Sequence, residues 1–580
     1  MTTPPQRMIF AVALLALAVL SAFALSAPAR HSFGAASVPA LNLVLKPHLN
    51  SDAVDYLDVQ LTIGNPGVGA GGTLLRMPLI VASIPTARYD GDAIQARDRA
   101  GKLRLTRKDE APTSVGIYRR WLATRNTVGD VVLTFRAPMR AVSASTRPGP
   151  LFDLRAEGRG LDGAGLAFLA LPDNHITYRI HLHWDLSGMP AGSRGVWSLG
   201  EGDVSTFGQA DLLADTYYSA GPMMSYPNDD RGSFAMYWLQ PTSFDTALVA
   251  QRIQKLYGFM AHFAGDENSS YRVFIRKNPY HSGGGTALVK SFMFGYSDAS
   301  APTAGSLQGL LAHEMVHNWL QLEGSHGEVS WYDEGAAQYY SLVLSYRAGL
   351  LTPARFLEEL NSRAAGYYTS PLRALTLEQA EARYWRDPLA SYLPYSRGFM
   401  YLAMTNARIL AKSHGRRSLD DLVLDIRKRE VRGLSHDNAV WIGLVTGELG
   451  RQGRRDYDGM IAGRLLTPPR GSFGPCFRVA RVPGRVFQPG FDTAAFSDPV
   501  RLVRGLIAGS AAARAGVRNG DRIVEVPNLQ ELEDDPSEPI SLKVRRAGQP
   551  LTFSYLPRGK QALTYQWVRA PGVADSACRF

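Results

Sequence analysis

The pentapeptide HEMVH at 313–317 sets two histidines four residues apart around a glutamate. On a helix that spacing turns both imidazoles to one face, where they can share a divalent ion, and leaves Glu314 beside them as a general base. Metal and base together activate water for hydrolysis. The flanking run SLQGLLAHEMVHNWLQL offers Leu310, Leu311, Val316 and Leu320 for burial. Burying two histidines and a glutamate is costly unless they are partnered, by a metal or by hydrogen bonds among core side chains.

A catalytic zinc takes three protein ligands and keeps one position open. The donors downstream are Glu323, His326, Glu328, Asp333 and Glu334. The metzincin pattern, which would use His326, needs Gly three and His six residues after the second histidine, where this chain has Leu320 and Glu323. Glu334 is better placed. The stretch SWYDEGAAQYYSLVLSYRAGL reads as a second helix whose Gly335, Ala336 and Ala337 are small enough for a close approach to the first. Asp333 reads as a solvated acid at the start of that helix, with orientation of a ligand as its other reading.

Several kinds of element must position these groups. From about Leu41 to Gly221, short alternating stretches such as LNLVLKP, YLDVQLTIGN, DVVLTFRAP and HITYRIHLHWDLSG are broken by Gly, Pro, Asn and Asp, the pattern of an antiparallel sandwich. His181 and His183 share a strand face there and read as its polar side, having no third donor nearby. After Pro222 the periods become helical. Thr352 before Pro353 reads as an N-cap, and Thr376 with Gln379 and Ser418 with Asp421 have capping-box spacing. The stretch YRVFIRKNPYHSGGGTALVKSFMFGYSD interrupts with at least two strands. The helical texture ends near 468–474, and GLIAGSAAARAGVRNGDRIVEV beyond it resembles the middle of a PDZ domain, with Gly490 and Phe491 as candidates for its carboxylate-binding loop.

HEMVHNW followed after a loop by WYDEGAAQYY resembles the gluzincin metallopeptidases, and the order of domains is similar to that of their glycyl-aminopeptidase family. FGQADLLADTYYSAG resembles that family's entry into the catalytic half. The resemblance implies an N-terminal antiparallel β-sandwich over 30–221, a mainly α thermolysin-like catalytic domain with a small sheet over 222–470, and a C-terminal PDZ-like β domain over 475–580. It implies Zn2+ held by His313, His317 and Glu334, with Glu314 as the base. PYSRG resembles the family's Tyr-x-Lys/Arg-Gly segment and points to Tyr395 as the donor to the oxyanion, with Tyr392 as second choice. The expected function is an exported zinc metallopeptidase acting on peptides or proteins, with a peptide as the natural ligand of a PDZ domain. Its rival is a catalytically decayed peptidase fold that binds partners through its PDZ and β domains. The chain departs from the family where a Gly-Gly-Leu-Glu-His segment would hold a substrate amine. HSGGGTALVKSFMFGYSD keeps Gly283, Gly284 and Gly285 but has no acid before Asp298, so endopeptidase action stands beside aminopeptidase action.

The 580 residues exceed one core, and 45% apolar with 20% charged residues describe a folded protein. The net charge of +11 does not indicate nucleic acid, because the basic residues are interleaved with acids and no aromatic-basic platform accompanies them. A single Arg7 precedes the apolar run MIFAVALLALAVLSAFALS, with small residues at Ser26 and Ala29 for cleavage, so 1–29 reads as a signal peptide and the destination as periplasmic or extracellular. Left uncleaved, the run suffices to anchor the chain in a membrane. The two cysteines, Cys476 and Cys578, bracket the last segment and read as a disulfide.

Overall fold

The computed structural model describes residues 38–578 except 83, 114–115, 145, 147–148, 229–231, 281–282, 299–301, 385, 470 and 499. The expected signal segment 1–29 lies outside the described residues. Among the described residues no helix is long and apolar enough to cross a membrane. The chain forms two compact units. One holds residues 38–254 and 266–308, and the other 255–265 and 309–578.

The first unit is built of strands. A seven-stranded sheet runs in the order Val204–Gly208, Tyr178–Trp184, Ala40–Asn50, Ala53–Ile63, Val131–Pro138, Gln95–Asp98, Gly101–Leu103. Alternation along Ala40–Asn50 turns Leu41, Leu43 and Leu45 inward, where they share one core with Leu75, Met77 and Trp121 of a four-stranded sheet. The sandwich expected from the sequence is antiparallel except at one pair, Ala40–Asn50 with Tyr178–Trp184, which is parallel. The long excursion between these two strands permits that pairing, since parallel neighbours need a crossover connection. His181 and His183 are surface groups facing Ser205 and Asp203, in keeping with a polar outer face. The Gly-rich stretch yields three strands, Tyr271–Lys277, Gly283–Leu288 and Ser291–Tyr296, with Gly283–Leu288 at the edge of a five-stranded mixed sheet. A side chain on Gly285 would run into the Phe292 ring, so packing requires that glycine.

The second unit is mainly helical. Its principal helices are α1 (Ala304–Val316, entering from the first unit), α2 (His326–Arg347), α3 (Pro353–Thr369) and α4 (Pro388–Ser413). The caps form where the spacing placed them: Thr352 Oγ1 accepts from Arg355 N, and Thr376 with Gln379 and Ser418 with Asp421 make reciprocal capping boxes.

The C-terminal module follows. Strand Phe477–Phe487 pairs with Arg558–Arg569, and Arg522–Ile523, Ile540–Arg546 and Gln549–Tyr555 form a second small sheet. Between them lie Ala511–Ala515, capped by Ser510, and α5 (Leu529–Asp534). Phe491 is buried in this module's core, and Gly490 adopts φ +96° against Ser510 and Ala512. Leu389 of α4 belongs to the same core, and Asn361 of α3 exchanges two hydrogen bonds with the main chain of Trp567, at 2.8 and 2.9 Å. Cys476 and Cys578 are bonded across 102 residues, a loop whose closure is worth about 4–5 kcal/mol in the chain-entropy model.

Candidate metal centre

His313 lies in the last turn of α1, and His317 falls in the turn that continues it, with Leu320 N still bonded to Val316 O. The two rings meet at 5.0 Å with their planes 79° apart. Glu334 of α2 closes the set. Its Oε2 is 3.2 Å from His313 Nε2 and 3.5 Å from His317 Nε2, and the two Nε2 atoms are 3.3 Å apart. A tetrahedral ion with ligands at 2.0–2.1 Å has ligand-to-ligand edges of about 3.3–3.4 Å, so these three atoms already stand as one face of such a tetrahedron. They are the one His, Cys, Asp or Glu group found among the described residues that could hold a metal, and all three side chains are buried. His313 Nδ1 and Glu314 Oε2 are also buried without a hydrogen-bond partner.

Of the other downstream donors, Glu323 is exposed, with His436 Nδ1 3.9 Å from its Oε2, and the remaining three are engaged elsewhere. Glu328 caps α2 by accepting from Ser325 N and Oγ at 2.9 and 2.6 Å. His326 Nδ1 faces Glu381 Oε2 at 3.0 Å, and the edge of its ring meets Tyr384. Asp333 corrects the expectation of a solvated acid at a helix start. The Ser325–Glu328 capping box begins α2 at His326, so Asp333 lies two turns inside, buried, with Oδ1 accepting from Leu322 N at 3.0 Å. It ties the loop after α1 to α2.

Gly335 serves a different neighbour from the one expected. It meets α4 rather than α1: a Cβ there would stand 2.5 Å from Gly398 Cα. This glycine-on-glycine crossing lets α4 press against α2 and carries Tyr395, one turn before Gly398, to the metal cluster. The Tyr395 ring stacks on His313 at 5.6 Å and 11°. Tyr392 turns instead toward the core of the C-terminal module. Arg397 is buried and donates to the carbonyls of Arg373 and Leu375, which fixes the strap before α4. Gly398→Ala is therefore expected to cost about 1–3 kcal/mol, seen as a lower denaturation midpoint, and to depress activity by moving Tyr395. Gly443→Ala, in a helix where a Cβ meets nothing, should leave both intact.

The family model of the M61 glycyl aminopeptidases matches residues 306–392, the span that contains HEMVH and Glu334 and stops three residues before Tyr395. The chain is a zinc metallopeptidase resembling that family. No curated protein matches it. An aminopeptidase N family protein from Idiomarina loihiensis is 14% identical with a TM-score of 0.59, covering 93% of this chain and 99% of that one, a likeness of fold. An M1 zinc metallopeptidase from Deinococcus radiodurans gives 16% identity and a TM-score of 0.43 over 74% of this chain and 95% of that one. Native yeast LTA4 hydrolase gives 14% and 0.43 over 75% and 69%.

The metallopeptidase's charges follow from burial and from Glu334. Burial opposes a charge on each group of the centre. It lowers His313 below the usual imidazole range, and the neighbouring His317 adds to this. His317, equally buried, is nonetheless raised to about 9 by the Glu334 carboxylate. Burial alone would raise Glu334, yet the two imidazoles hold it well below the carboxylate range. It remains an anion suited to a cation. Burial pushes Glu314 up to about 8. Tyr395 is held neutral by burial and by the adjacent Glu334, so its hydroxyl keeps a proton to donate. Tyr384, beside the Tyr395 hydroxyl, is a member of this centre that sequence reasoning missed. It comes from EARYWRD, which carries no motif.

Proposed function

We propose that this metallopeptidase hydrolyses peptide bonds, with His313, His317 and Glu334 as zinc ligands, Glu314 as general base and Tyr395 as the donor to the oxyanion. The closed triangle of three buried donor atoms, with an unpartnered carboxylate oxygen on the adjoining residue, carries the reading. Zinc, when bound, supplies Lewis acidity that acidifies water and polarises a carbonyl. Glu314 takes the proton of the attacking water and delivers it to the leaving amine, a transfer favoured by a carboxylate whose basicity burial has raised. Tyr395 donates its hydroxyl proton toward the oxygen on which negative charge develops.

The bonded Cys476 and Cys578 and the apolar run before the β unit support an exported enzyme, since disulfides persist in oxidising compartments. We read the PDZ-like module as part of the catalytic body, because its core takes in Leu389 of α4 and its strand is bonded to α3 through Asn361.

A mixture of peptides incubated with the zinc-loaded protein and followed by mass spectrometry tests the reading. Cleavage should require zinc, and Tyr395→Phe should lower kcat about a hundredfold with KM nearly unchanged. Full activity in that variant removes Tyr395 from the mechanism, and zinc-loaded protein that cleaves nothing removes the function.

A further inference from the structure

A small cavity beside Tyr395 has no part in this scheme. Gln338 of α2, Arg363 of α3, Tyr392 and Tyr395 of α4, and Glu533 and Asp534 of α5 line it. Gln338 lies one turn beyond Glu334 on α2, and Tyr395 stacks on His313, so the cavity adjoins the metal centre. Its volume of about 20 Å³ admits one group the size of a water molecule. An ammonium head is that size, whereas a guanidinium or an aromatic ring is larger.

Two adjacent acids, Glu533 and Asp534, line it. Glu533 is 4% exposed, and its Oε1 is buried with no hydrogen-bond partner. Asp534 Oδ1 occupies the space left by Gly366 of α3, where a Cβ would collide with it. Neither acid forms an ion pair among the described residues, and the cations that act on them are Arg363 and Arg558, with Arg558 Nη1 buried without a hydrogen-bond partner. Arg363 donates to Gln338 and Glu359, and Arg558 to the carbonyls of Leu532, Asp535 and Pro536. Burial pushes Glu533 well above the carboxylate range and Asp534 up to about 8. Glu533, buried with an unpartnered oxygen, is costly to ionise, and a cation entering the cavity offsets that cost.

We propose that Glu533 and Asp534 bind an ammonium group of the peptide held at the metal centre, which makes the C-terminal module a specificity element of the active site. This deepens the peptidase reading and rests on it. Gln338 and Glu334 are one helical turn apart on α2, about 5.4 Å of axial rise, the scale of a lysine side chain or of one or two residues of extended peptide. The ammonium is therefore that of a free chain terminus or of a lysine.

Titration calorimetry on the full-length, zinc-loaded Glu314→Gln protein tests the site without cleavage. The ligands are Gly-Ala-Ala and its N-acetylated form, then N-acetylated peptides carrying lysine or norleucine at the first position. One ammonium-bearing peptide should bind at least about tenfold more tightly than its neutral partner, and which pair shows this tells terminus from lysine. Adding Glu533→Gln and Asp534→Asn should bring that ratio toward one. Gly366→Ala, which displaces the Asp534 carboxylate without removing it, should lower the ratio too and serves if the double variant does not fold. Equal affinities within both pairs, or a ratio unmoved by the substitutions, overturns the proposal. Failure of the peptidase reading is distinct: the protein with Glu314 intact would cleave none of the peptides with zinc bound, whatever the binding ratio.

Discussion

Glu314→Gln is expected to lower peptide hydrolysis by about 10²–10⁴-fold and to leave zinc bound. The size follows from the usual contribution of a positioned general base, and glutamine keeps the shape of the side chain while giving up its ability to take a proton. Zinc stays because Glu314 is outside the triangle formed by His313, His317 and Glu334. Its Oε2 is buried and unpartnered, so an amide there meets no broken hydrogen bond at that atom. Metal content by atomic emission together with kcat on one cleaved peptide checks both halves. Retained activity would dismiss Glu314 as the base, and loss of zinc would make it a holder of the metal instead.

Glu334→Gln separates zinc from the protein. Four-ligand protein sites bind zinc with roughly 10–16 kcal/mol, so one ligand is worth on the order of 3 kcal/mol, more than a hundredfold in affinity. The loss should be larger than for a surface carboxylate, because Glu334 is the buried anion that both imidazoles face, at 3.2 and 3.5 Å. Glutamine also keeps Gly335 against Gly398, so the variant should fold with α2 and α4 still packed. Competition with a chelator of graded strength reads the affinity. Excess zinc should restore part of the hydrolysis, and a variant that binds zinc like the parent would exclude Glu334 as a ligand.

These two effects bear on residues that the sequence brought forward, and the reason is locality. HEMVH is one helical repeat long, so His313 and His317 meet through backbone geometry alone. The capping boxes at Thr376 and Ser418 are equally local, and both form. Ser325 and Glu328 have the same spacing, and their capping box starts α2 early enough to place Asp333 inside it. Tyr384 offered no such signal, because the segment that brings it to Tyr395 has no periodicity of its own.

The chain by itself determined the chemistry of the centre: two histidines at helical spacing, a glutamate between them, and a second glutamate beside a run of small residues. Only the tertiary structure decided which neighbour those small residues admit, because Gly335 and Gly398 are distant in sequence and meet through the packing of α2 on α4. The same holds for Glu533 and Asp534. In the sequence they are part of an acidic run, ELEDD, that would ordinarily face solvent, and it is the docking of α5 on α3 and α4 that withdraws Glu533 from water and sets both acids beside Tyr395. Spacing along the chain fixes what one element can present, whereas burial is set by what another element covers.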